Sequence, residues 1–116
     1  MTKSIVLTAA DTDAHNLYAL ILAALGVTQL PQRVDQGAVF FPDFVKSVTF
    51  SLPVNQGGNT GHTLSVQDKD GNEMNSVVPG TPFKIEGTVG NLISLQAIEL
   101  QASASGVVCD VSIVQN

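Results

Sequence analysis

The stretch that most constrains this chain is residues 92–114, two long apolar-rich runs separated by Ser103-Ala104-Ser105-Gly106, a small-residue turn with a glycine able to take a positive φ. The spacing predicts a central β-hairpin. In the second run Val107, Cys109, Val111 and Ile113 alternate with Val108, Asp110, Ser112 and Val114, the period-2 pattern of a strand with one core face and one wetter face. In the first run Leu95 and Ala97 share one phase, while Ile98, Leu100 and Ala102 share the other. A β-bulge would reconcile the two. A helix over 92–102 is the competing reading, because Leu, Gln, Ala and Glu are helix formers. The neighbouring β pattern and the glycine turn favour the strand.

A chain of 116 residues fits one domain, 1–116, long enough to bury roughly two thirds of its unfolded surface. Hydrophobic residues make up 44% and charged ones 13%, which excludes a disordered chain and implies an unusually neutral surface. The net charge of −5 comes without any basic cluster, so neither a nucleic acid nor an anionic membrane is an expected partner. Cys109 is the only cysteine, so no intrachain disulfide or multi-cysteine zinc site can form, and its place on a core strand predicts an inert buried thiol. At the N-terminus Ile5-Val6-Leu7 is too short for the apolar region of a signal peptide, and the longest apolar run, Leu17–Leu25, is half of a membrane span. The expectation is a protein kept in a reducing cytoplasm, or carried in a particle assembled there.

Taken in order, residues 4–8 predict a short strand with Ile5 and Leu7 on one face. A helix over 13–25 follows, with capping oxygens on Asp11, Thr12 and Asp13 and a C-terminal αL position at Gly26. Leu17, Leu20, Ile21 and Ala24 form one stripe of this helix, and Tyr18, Leu22 and Leu25 a second beside it. Such an apolar helix needs a cover, either the chain's own sheet or a neighbouring subunit. Residues 27–37 predict an extended connector leading to Ala38-Val39-Phe40-Phe41, a strand buried on both sides or at an interface. The run 44–52 alternates, with Val48, Phe50 and Leu52 inward and Ser47, Thr49 and Ser51 outward. Residues 55–61, with three glycines, predict an exposed loop. Asp68-Lys69-Asp70-Gly71 is the turn of a second hairpin, Pro79-Gly80-Thr81-Pro82 a further turn, and residues 83–86 a strand with Phe83 and Ile85 on one face. The predicted fold is mainly β, an antiparallel β-sandwich or jelly-roll-like barrel with one N-terminal helix.

Candidate chemistry is sparse. Asp68, Asp70, Asn72 and Glu73 resemble calcium ligands, but aligning Gly71 with the glycine of an EF-hand loop puts Val66 and Val77 at the first and last ligand positions. Turn chemistry explains these residues better. His15 and His62 lack metal-binding spacing, no Gly-x-Ser-x-Gly elbow occurs, and the glycine-rich loop lacks the Lys-Ser/Thr of a phosphate loop. With no Trp and one Tyr, the aromatic platforms of sugar sites are missing too. No catalytic, metal or cofactor-binding residue is expected.

The apolar early helix, the neutral surface and the many short strands with Gly/Asn loops resemble the small virion proteins of tailed bacteriophages, of the head-decoration or cement type. The likeness is carried by Ser65-Val66-Gln67-Asp68, Pro79-Gly80-Thr81-Pro82-Phe83 and the Ser/Ala turn at 103–106. It implies a non-enzymatic β-rich subunit of the virion that self-associates, as a trimer, and docks on the lattice of the major capsid protein. The residues expected at such a contact are Tyr18, Leu22, Leu25, Phe40 and Phe41. A small module that binds carbohydrate or peptide, in a receptor-binding or tail-associated role, is the alternative.

Overall fold

The computed structural model describes residues 2–26, 44–88 and 91–114. Ten strands occur among them: β1 (Thr2–Thr8), β2 (His15–Asn16), β3 (Phe44–Val45), β4 (Ser47–Ser51), β5 (Leu64–Asp68), β6 (Glu73–Val77), β7 (Phe83–Glu86), β8 (Ile93–Ser94), β9 (Ile98–Ala102) and β10 (Val108–Val114), with helix α1 (Leu17–Leu25) after β2. Two four-stranded antiparallel sheets, β1-β10-β4-β7 and β2-β9-β5-β6, stack as a β-sandwich, and β3 pairs separately with β8. The core is what the two inner faces share. Ile5, Leu7, Val48, Phe50, Cys109, Val111 and Ile113 come from the first sheet, and Leu64, Val66, Val77, Ile98, Leu100 and Ala102 from the second. Alternation along each strand sends every second side chain inward, which is why the period-2 pattern of 107–114 was a sound guide to this strand.

The 92–114 hairpin does not form. β9 pairs with β2 and β5, whereas β10 lies between β1 and β4, so Ser103-Ala104-Ser105-Gly106 carries the chain from one sheet to the other. A turn between two strands is compatible with either outcome; here both runs are amphipathic, and each finds a partner elsewhere while their apolar faces meet across the core. The phase slip is resolved by a 3-10 turn at Leu95–Ala97, with Leu95 fully buried, and not by a bulge in a continuous strand. The register shift that does occur lies between Val66 and Gln67 in the β5–β6 hairpin.

The helix begins four residues later than 13. His15 and Asn16 are drawn into pairing with Leu100 and Glu99 of β9, and Asn16 becomes the N-cap, its Oδ1 accepting from the Ala19 N–H at 3.2 Å. Gly26 takes the αL position at φ 74° and donates to the Ala23 carbonyl. The run 44–52 is interrupted at Lys46, whose N–H reaches the Val114 carbonyl, and Ser47, expected outward, is buried. Residues 55–61 are not simply an exposed loop either: Gly57–Asn59 is a 3-10 turn that buries Asn59 completely. The connector 27–37 and the strand expected at 38–41, with Phe40 and Phe41, lie outside the described residues.

Candidate functional site

Three features of the sandwich can meet a partner or ligand. The first is a cleft between the sheets at the end where β1 leaves the core. Leu7, Leu64, Leu100, Ala102, Val107 and Cys109 wall a space of about 140 Å3, and Asp11, Asp13 and His15 stand at its mouth. Asp11 Oδ1 accepts from the Asp13 N–H at 2.9 Å and contacts His15 Nε2 at 2.7 Å, so the two acids and the imidazole form a self-bonded turn. The His15 contact, followed by the Asp13 N–H, holds the Asp11 carboxyl below its ordinary range. Inside the cleft burial pushes the Cys109 thiol up to about 12. The cleft is therefore an apolar slot whose sulfur stays a protonated thiol at neutral pH.

The second is the outer face of the β2-β9-β5-β6 sheet. Ser65 Oγ donates to Glu73 Oε1 at 2.7 Å, Gln67 Nε2 donates to Ser65 Oγ at 3.0 Å and to Gln101 Oε1 at 2.9 Å, and Gln101 Nε2 reaches the Thr12 carbonyl at 3.0 Å. These bonds run across the sheet from β6 to the segment before β2, and only Glu73 among the four side chains is charged. Sequence reading missed this ladder, although the outward phase of Ser65, Gln67 and Gln101 was its signal.

The third is the surface left by α1. Leu17, Tyr18 and Ile21 are buried within the chain, Leu20, Leu22 and Leu25 are half-buried, and Ala19, Ala23 and Ala24 are exposed. Of the contact residues expected from sequence, Tyr18 thus belongs to the core, Leu22 and Leu25 remain partly open, and Phe40 and Phe41 lie outside the described residues.

The acidic turn at 68–73 is held by its own backbone. Asp68 Oδ1 accepts from the Asp70 and Asn72 N–H groups, each at 2.9 Å, and the Asn72 N–H above all lowers the Asp68 carboxyl from its ordinary range. Among the described residues no three His, Cys, Asp or Glu side chains are grouped closely enough to hold a metal, and no helix is long and apolar enough to cross a membrane. Comparison with protein-family models, curated proteins and solved structures yields no match.

Proposed function

We propose that this chain is a non-enzymatic structural subunit of a virus particle, a cement-type protein that self-associates and docks on the shell lattice. The observation that carries the reading is the outer ladder of Ser65, Gln67 and Gln101, uncharged side chains hydrogen-bonded across the sheet with one carboxylate, Glu73, at its end. A face of this kind suits a wet, polar protein contact repeated by symmetry, where each contact is weak and the array supplies the avidity. The half-buried Leu22 and Leu25 of α1 add further apolar surface.

A second reading rests on a shallow polar hollow lined by Thr12, Thr63, Ser65, Gln101 and Ser103, which fits a carbohydrate or peptide ligand through hydroxyl and amide groups. The discriminating experiment quantifies this chain against the major shell protein in purified particles by mass spectrometry. A fixed stoichiometric ratio supports the structural subunit. Absence from mature particles overturns it, and binding on a glycan or peptide array that is lost in Gln101→Ala selects the module.

A further inference from the structure

Among the described residues the first sheet ends on β7, and the hydrogen-bond parity of that strand is fixed by its neighbour. The Gly87 N–H donates to the Lys46 carbonyl at 2.8 Å, and Ile85 and Phe83 stand opposite Val48 and Phe50. In an antiparallel ladder the bonded residues alternate, so the main-chain N–H and C=O of Lys84 and Glu86 point away from β4, to the side on which no described strand pairs with β7. Their side chains share a face and form an ion pair at 2.8 Å, while 52% and 67% of their side-chain surface stays exposed. On the other face Phe83 and Ile85 pack on the core but remain half-buried at its margin.

We infer that β7 is the contact through which two copies of this chain associate, by antiparallel pairing about a two-fold axis at Ile85. That register places Lys84 opposite Glu86 of the second copy, twice, as the bonded residues, and supplies four main-chain hydrogen bonds. The charges then alternate around all four sides of the square formed by two lysines and two glutamates, with opposite charges along each strand and across the junction. The two Ile85 residues meet as the closely spaced non-bonded pair, and each extends the other's core margin. A register displaced by two residues loses this alternation, so charge selects the pairing as well as permitting it. The product is one eight-stranded sheet across two copies, an isologous pair in place of the trimer that the family likeness implies. This contact rests on the self-associating reading above and names its partner.

The test needs no particle. Sedimentation of the purified chain at high micromolar concentration should show a reversible dimer. Lys84→Glu, which gathers four carboxylates at the junction, should weaken pairing at least about tenfold. The double swap Lys84→Glu with Glu86→Lys rebuilds the alternation and should restore it. Ile85→Cys should form an interchain disulfide on oxidation, whereas Glu86→Cys should not, and thermal melts check that each variant is folded. A monomeric wild type, an undiminished Lys84→Glu dimer or a double swap that stays apart overturns the inference. None of these outcomes bears on whether the chain is found in particles, which the mass-spectrometric ratio decides separately.

Discussion

The Asn59 side chain binds the backbone of Val108 on both sides, Oδ1 accepting from its N–H at 2.7 Å and Nδ2 donating to its carbonyl at 2.9 Å. Val108 lies past the end of the β4 ladder, whose last pair with β10 is Ser51 and Asp110. There the chain of β4 has already reached Pro53, which has no N–H to offer, and the Asn59 amide takes the place of the missing strand residue. The same Nδ2 also donates to the Pro53 carbonyl at 3.0 Å.

Asn59→Ala therefore leaves three backbone groups without their partner at a buried position, and we expect a loss of about 3 kcal/mol. Asn59→Asp should be no better, because it turns a donor into an acceptor facing two carbonyls. Urea denaturation measures both; a change below the error of the method would mean that water replaces the amide.

Gly58 presses against the crossover between the sheets, where a Cβ would stand 2.5 Å from the Gly106 carbonyl oxygen. Gly58→Ala must displace that backbone and should destabilise by about 1–3 kcal/mol. Gly57→Ala next door meets nothing within 4 Å and should be close to neutral. The pair of melting temperatures separates a local clash from a general intolerance of the loop.

The Asp68 carboxyl titrates below its ordinary 3.8 because the Asn72 and Asp70 N–H groups favour its charged form. A depressed carboxylate contributes stability above its unfolded value and loses it as pH falls through the folded one. Asp68→Asn keeps the Oδ1 acceptor and removes the titration, so its melting temperature should fall less than that of the wild type on acidification below the ordinary carboxylate range.

For Cys109 the sign is reversed. Burial raises the thiol from 9.0 to about 12, so the native state loses stability as pH rises past the lower value and through the higher one. At neutral pH the thiol should resist alkylation until the sandwich unfolds. Labelling at the rate of global unfolding is the expected result, and rapid labelling of the folded chain would show that the cleft admits reagent. Cys109→Ala should cost about 1 kcal/mol and flatten the alkaline limb.

What the residues disclosed in advance was local. Alternation at 107–114, the turn glycines at 71 and 80 and the αL position at Gly26 each follow from a few neighbouring side chains. What they withheld was pairing. Nothing in Ser103-Ala104-Ser105-Gly106 distinguishes a hairpin from a crossover, because that outcome is decided by β1, β4 and β5, far away in sequence. The helix start was missed for the same reason: Asp11, Thr12 and Asp13 are good caps, but pairing with β9 holds His15 and Asn16 extended. Asn59 was hidden by its company, since three glycines make a segment look solvated whatever the single asparagine among them does.

The pairing of β1 with β10, Thr2 opposite Val114, sets the order of events during synthesis. The strand that joins β1 to β4 is β10, which follows both of them by many residues, so the first sheet has no continuous ladder until β10 has been made. Closing so long a loop is entropically slow. Until it closes, β1 and β4 present unpaired edges and apolar faces to whatever else is in solution, which makes this β-rich chain most vulnerable to aggregation in the interval before β10 is in place.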